Sequence, residues 1–285
     1  MTSPSFDRRL TPAREDLAAE HLRGIVEAPR YATATRYRIA VPSVPLRRGR
    51  DATLGYETEL LHGEEIDIYE IADGWAWGQA VQDGYVGFLP ATALGAARAA
   101  THRVAALRTF LYPGASIKAT PLAFLPLGVT VTVEGQEETF ARTPEGYIFA
   151  AHLVPLDAFA TDPVAEAERF LGIPYLWGGK TSLGIDCSGL VQTASQACGI
   201  AAPRDSDMQE NLLGTALAIP NDPQNYQRGD LLFWRGHVAL CQGNGRMVHA
   251  TGYAMSVISE EIGPALERIA GQGAPLRTAR RLPKA

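Results

Sequence analysis

The sequence predicts an α+β chain in which two small β-barrels precede a larger domain that runs helices first and sheet second. Three observations carry this. Between Tyr37 and about Leu94, short apolar stretches alternate with glycine-containing turns such as Ala72-Asp73-Gly74 and Gln82-Asp83-Gly84. An acid-Gly-Tyr turn followed by a short apolar strand occurs twice, in DGYVGFLPATAL and EGYIFAAHLVPL. From Asp162 the texture becomes helical, DPVAEAERFLG, and then gives the apolar strands LLFW, HVALCQ and RMVHAT.

The elements follow in chain order. Residues 1–29 are a charged leader with a possible helix over PAREDLAAEHLRGIV, where Leu17, Leu22 and Ile25 form a weak apolar stripe. Residues 30–96 make the first barrel, 97–160 the second and 161–285 the last domain. There a helix starts at Thr161 or Asp162, with Pro163 at its first position and Gly172 beyond its end. A second helix runs from about Cys187 to Ala197 and is stopped by Gly199.

Composition bounds the function. With 46% hydrophobic and 20% charged residues, the chain has the makings of more than one core. A net charge of -5 with scattered basic residues leaves no footprint for nucleic acid or an anionic membrane. The N-terminus lacks the apolar run of about 7 to 15 residues that a secretory signal needs. No window reaches the roughly 18 apolar residues of a membrane span, so a cytoplasmic location is expected. Three cysteines, at 187, 198 and 241 without CxxC spacing, argue against a disulfide framework and a structural zinc cluster. No cofactor and no metal is expected, and the oligomeric state is not legible.

Cys187 opens the second helix, and Leu190, Val191, Ala194 and Cys198 follow on one face. A helix start offers unpaired N–H groups and a partial positive charge, which favour a thiolate and suit a developing oxyanion. A thiolate attacking an amide needs a proton donor for the leaving amine. His237 begins one strand and His249 ends the next, with Gly243-Asn244-Gly245 between them. A hairpin through that turn sets Cys241 opposite Met247 and Ala239 opposite His249. The two histidines are then diagonal neighbours on one face, roughly 7 Å apart. Nucleophile, zinc ligand and small core residue all remain open for Cys187 at this level.

The runs IPYLWGGKTSLGIDCSGLVQ, APRDSDMQ, QRGDLLFWRGHVAL and GNGRMVHA resemble the NlpC/p60 family of papain-like cysteine peptidases, which cut cell-wall peptides, over about residues 163 to 260. The resemblance implies Cys187 as nucleophile, His237 as general base and acid, His249 as the residue orienting it, and Tyr175 at the oxyanion site. The region LLHGEEIDIYEIADGWAWGQAVQDGYVGFLP likewise resembles the bacterial SH3-like domain, and 97–160 more loosely so.

Chains of that family with SH3-like domains ahead and RDS in place of RTS look like γ-D-glutamyl-L-diamino acid endopeptidases. The resemblance implies a murein peptide with a free N-terminal L-Ala as substrate, cut between D-Glu and diaminopimelate or lysine, in peptidoglycan recycling. Asp205 and Ser206 match the positions holding the substrate amine, with Ser188 and Trp177 also at the substrate. Glu59 and Tyr85 of the first barrel match residues that wall off the same subsite. The alternative is an exported wall hydrolase whose barrels bind the wall.

Overall fold

In the computed structural model, which describes residues 6–283, the chain divides between Pro155 and Leu156 into two units. The break lies a few residues before the expected 160/161 boundary. Ala160 donates its N–H to Ala197 O, and Phe159 lies against Gly199, so residues 156–160 belong with the second helix of the last domain.

The first unit begins with the leader, whose expected helix does not form. Instead β1 (Leu17–Ala19) runs parallel to β2 (Arg30–Ala32), followed by a single 3-10 turn at Glu20–Leu22. The stripe was too thin to compete: Leu17 and Leu22 are buried but Ile25 is 59% exposed, while Leu17, Ala18 and Ala19 bury all their side chains as a strand. The leader lies on the module behind it. Val86 N–H donates to Arg9 O, Gln79 Nε2 donates to Leu10 O, and the Arg14 guanidinium stacks 4.6 Å over the Trp77 ring. Glu70 gathers the guanidinium groups of Arg14, Arg30 and Arg50.

The first module comprises β3 (Thr35–Ile39), β4 (Ser43–Leu46), β5 (Thr58–Leu61), β6 (Glu65–Ala72), β7 (Trp75–Ala80), β8 (Val86–Pro90) and β9 (Leu94–Ala96). Its period-two pattern puts Ile39, Leu46, Leu60, Ile66, Ile68 and Leu89 into one core. The second module comprises β10 (His102–Val104), β11 (Arg108–Tyr112), β12 (Ala123–Pro126), β13 (Thr130–Val131), β14 (Gly135–Glu137), β15 (Phe140–Thr143), β16 (Gly146–Phe149) and β17 (Leu153–Pro155). Its pairings repeat those of the first module. The ladders β3·β6, β3·β9, β4·β5, β6·β7 and β7·β8 return as β10·β13, β10·β17, β11·β12, β14·β15 and β15·β16, and the Arg47–Phe88 bridge returns as β11·β16. The equivalent of β6 is split into β13 and β14, which explains why this half is harder to see in the sequence. Arg38 of β3 reaches Glu145 of the second module at 2.8 Å and ties the two together.

The second unit follows the expected helix-then-sheet order. Helix α1 (Pro163–Glu168) is capped by Asp162, which accepts from Val164 and Ala165 N–H. After the two-stranded β18 (Lys180–Thr181) and β19 (Gly184–Ile185) comes α2 (Cys187–Ala197), ended by Gly199 at φ +75°. Then come α3 (Ser206–Leu212), β20 (Thr215–Leu217), β21 (Asp230–Trp234), β22 (His237–Gly243), β23 (Arg246–Thr251), β24 (Ser256–Glu261), α4 (Ile262–Gly271) and β25 (Thr278–Arg281). The sheet order is β20-β25-β21-β22-β23-β24, antiparallel throughout. Helix α2 packs on β22 and β23, while the side chains of Trp234, Ala239, Cys241 and Met247 meet Ile262 and Ala265 of α4.

Leu232 sits fully buried in that sheet. Leu232→Ala is expected to cost about 2–5 kcal/mol, read as a lower urea midpoint for this unit with an unchanged slope.

Candidate active site

Helix α2 starts at Cys187 because Asp186 caps it: Asp186 Oδ1 accepts from Gly189 N–H at 2.7 Å. Its other oxygen accepts from Gly178 N–H at 2.8 Å, which pins the PYLWGG loop against the helix start. The approach is closest at Gly189, where a Cβ would come within 2.4 Å of Gly179 O. The glycines of WGG and DCSG therefore exist to let a loop backbone lie on the first turn of a helix.

The Asp186 carboxylate is buried and needs a cation. Arg204, 1% exposed, supplies it with a two-pronged contact, Nη1 to Oδ1 at 2.9 Å and Nη2 to Oδ2 at 2.7 Å. The same Nη1 donates to Ser188 Oγ at 2.9 Å. Arg204 therefore holds residues on both sides of Cys187, and Asp205 and Ser206 follow it directly in the chain. Asp205 stands at the N-cap of α3, partly exposed, as is Ser206. Ser188, expected at the substrate, is instead buried with its hydroxyl engaged by Arg204 and Asp186. Its contribution is to the scaffold of the helix start.

The hairpin register expected around Gly243-Asn244-Gly245 is present: Cys241 pairs with Met247 and Leu240 with Val248, with Asn244 at φ 52° and Gly245 at φ 67°. No ladder pair joins Ala239 to His249; the regular pairing that the structure records ends at Leu240 and Val248, with an irregularity at the turn end. The histidines still meet, His237 Nε2 to His249 Nδ1 at 2.8 Å. The Val238 N–H, next along from His237, points at the Cys187 sulfur, which brings the thiol to the start of β22.

The electrostatics reverse one expectation. Burial, reinforced by the neighbouring Asp186 carboxylate, pushes the Cys187 thiol up to about 12, against smaller opposing pulls from the Val238 amide and Arg204. The helix start does not make a free thiolate here, because burial outweighs it and the Asp186 carboxylate adds to that penalty. Burial, reinforced by His249, drives His237 down to about 3, with Glu260 and Asp186 pulling the other way. At neutral pH the resting pair is thiol and neutral imidazole. Such a pair forms its thiolate by passing the proton to His237 when substrate arrives.

Tyr175 reaches the same place from the PYLWGG loop. Its N–H donates to Met255 O, and its phenol, half-buried, is pushed above the ordinary tyrosine range by burial and then by the Cys187 and Asp186 charges it faces. Trp177 is 69% exposed beyond it, an open indole face rather than a core aromatic. In the first unit, Glu59 is buried on β5 with Ser43 Oγ donating to it at 3.3 Å. Tyr85 is 2% exposed and packs into the first module's core. Cys198 and Cys241 are buried, as core residues should be.

Three functional residues escaped the sequence reading. Arg204 sits inside APRDSDMQ with no local signal of its partner. Glu260 accepts from His249 Nε2 at 2.8 Å, and Arg268 clamps Glu260 through two contacts of 2.7 Å. The only sequence signal for Glu260 is its place two residues past Ile258, the partner of His249 across β23 and β24.

A cysteine at the start of a buried helix, facing an imidazole pair on an antiparallel sheet, defines a thiol peptidase of papain-like architecture. Comparison with known proteins agrees: residues 172–265 match the NlpC/P60 family and residues 46–94 match the bacterial dipeptidyl-peptidase SH3 domain. The chain is a cysteine peptidase that carries an NlpC/P60 domain at 172–265 and a bacterial SH3-type domain ahead of it. It is 28% identical over 235 residues to the γ-D-glutamyl-L-lysine dipeptidyl-peptidase of Bacillus cereus, covering 70% of this chain and 69% of that protein. With the γ-D-glutamyl-L-lysine dipeptidyl-peptidase of Bacillus subtilis it shares 31% over 164 residues, 53% of this chain and 54% of that protein. A crystal structure of an NlpC/P60 family protein from Bacillus cereus has the same fold, with a TM-score of 0.73 at 22% identity, covering 87% of this chain and 100% of that one.

Three outcomes follow from the site. Cys187→Ala should abolish turnover and leave the melting temperature nearly unchanged, because the change removes a single sulfur atom at the end of the helix. Arg204→Ala should cost about 3–5 kcal/mol in urea denaturation, because it strands the buried Asp186 carboxylate. In a pH profile of kcat/KM, His237 must be neutral to act, so the acid limb should fall well below the roughly 6.5 of a free imidazole; a limb at 6.5 would mean the ring is solvated.

Proposed function

We propose that this peptidase hydrolyses the γ-D-glutamyl-L-diamino acid bond of cell-wall peptides whose N-terminal L-Ala amine is free, in cytoplasmic peptidoglycan recycling. The observation that carries the reading is the Arg204 anchor: it sets the Asp205 carboxylate and the Ser206 hydroxyl one and two residues from a group bonded on both sides of Cys187. A carboxylate next in the chain to a group anchored on both sides of the nucleophile suits a substrate ammonium, whose desolvation needs an opposing charge. The relatives' activity, on γ-D-glutamyl-L-lysine bonds, is the same class of reaction.

In the mechanism, Cys187 passes its proton to His237 and its sulfur attacks the γ-carbonyl of D-Glu. The oxyanion forms beside the α2 N-terminal amides and the Tyr175 hydroxyl. His237 returns the proton to the leaving amine, and a water activated by His237 then releases the acyl group and restores the thiol.

The SH3-type domain is read as the first of two SH3-like barrels, a reading supported by the six pairings that recur in 97–155. Use of the first barrel as a wall-binding module is disfavoured by the leader, because Arg14 already stacks over Trp77 and over Phe88 at 5.5 Å. Trp177 is a candidate substrate contact.

The free peptide L-Ala-γ-D-Glu-diaminopimelate should be cut at least a hundredfold faster than its N-acetylated form, and equal rates would leave the recycling reading without support. Iodoacetamide should abolish the activity while a chelator leaves it intact.

A further inference from the structure

We propose that Glu260, clamped by Arg268, is a positioning residue that sets the proton polarity of the histidine pair, so that His237 presents a basic nitrogen toward Cys187. The inference rests on the reading of Cys187 and His237 as nucleophile and base.

Glu260 Oε1 lies 2.8 Å from His249 Nε2, and a carboxylate only accepts, so His249 Nε2 carries the proton. Arg268 guarantees the ionised form: its Nη1 and Nη2 each sit 2.7 Å from a Glu260 oxygen. Although burial favours the acid, the Arg268 and His249 contacts hold the Glu260 carboxyl down at about 2. An imidazole whose single proton sits on Nε2 has a lone pair on Nδ1. That lone pair faces His237 Nε2 at 2.8 Å, so His237 Nε2 must be the donor. The remaining nitrogen of neutral His237, Nδ1, is then the basic one.

Without the carboxylate the pair could reverse, His249 Nδ1 donating to His237 Nε2, which would leave His237 Nδ1 protonated and useless as a base. With it, the proton of the Cys187 thiol has one destination, His237 Nδ1, and the resulting imidazolium keeps its Nε2–H bonded to His249. No proton leaves the three residues until the amine departs. The side chains come from separate elements: His237 from β22, His249 from β23, Glu260 from β24 and Arg268 from α4. The charged groups facing His237 are Glu260 and Arg268 on this side and Asp186 from the start of α2, which Arg204 neutralises in turn.

Removing the two charges of one ion pair should act with opposite sign on the same limb. The rate of Cys187 alkylation by iodoacetamide, measured from acid to neutral pH on the full chain, reads this without any peptide. Glu260→Gln removes a negative charge and should move the acid limb to lower pH, by about half a unit or more. Arg268→Gln removes a positive charge and should move it to higher pH. Glu260→Asp should restore the wild-type limb. In the peptide assay Glu260→Gln should lower kcat by at least tenfold with KM little changed, because Glu260 reaches His237 only through His249. A purely structural role predicts limbs that stay put or move together while the melting temperature falls, and either result overturns the proposal. Should Glu260→Gln not fold, the upward shift of Arg268→Gln decides alone, and its absence is fatal. Wild-type enzyme that alkylates as described but leaves the peptide intact would sink the substrate reading and leave the relay standing.

Discussion

The catalytic unit is organised around one buried carboxylate. Asp186 caps α2, accepts from the loop at Gly178, and would be intolerable in that position without the guanidinium of Arg204. A buried ion pair of this kind is weak grounds for stability, since two apolar residues could replace it at little loss. What it supplies is placement. One planar group, hydrogen-bonded in two directions, sets the helix start, the loop carrying Tyr175 and the turn carrying Asp205 into a single rigid frame around Cys187.

That frame also decides the charge state of the nucleophile. A thiol at a helix N-terminus is ordinarily acidic. Here the capping carboxylate and the loss of water outweigh the helix, and a neighbouring imidazole is equally reluctant to charge. Two reluctant partners can still exchange a proton at modest cost if the field around them is arranged beforehand, which is the sense in which preorganised polar groups lower a barrier. A neutral resting thiol is moreover less open to chance oxidation and alkylation than a standing thiolate.

Much of this was legible in the sequence wherever the pattern was local. The period of Cys187, Leu190, Val191 and Ala194 marked α2, and a two-glycine turn between apolar runs set the register that joins His237 to His249. The repeat of DGY and EGY pointed to two related modules. The leader misled because its three apolar residues fitted a helix in isolation, while the neighbouring sheet offered its backbone better partners. Arg204, Glu260 and Arg268 were invisible for a different reason: each acts through a partner that only tertiary folding brings near. Arg204 lies eighteen positions from Asp186. Burial, which reversed the expected acidity of Cys187, has no local signature either.

The tight turn between β22 and β23 has one more consequence. His237 and His249 share a face only because the count of residues between them is right, and a pleated strand alternates faces at every step. Point changes within the Gly243-Asn244-Gly245 turn alter only its comfort. A codon gained or lost there would carry His249, and with it the contact to Glu260, to the opposite side of the sheet while leaving every residue of the site in the protein. The site therefore depends on the number of residues at this place more than on their identity.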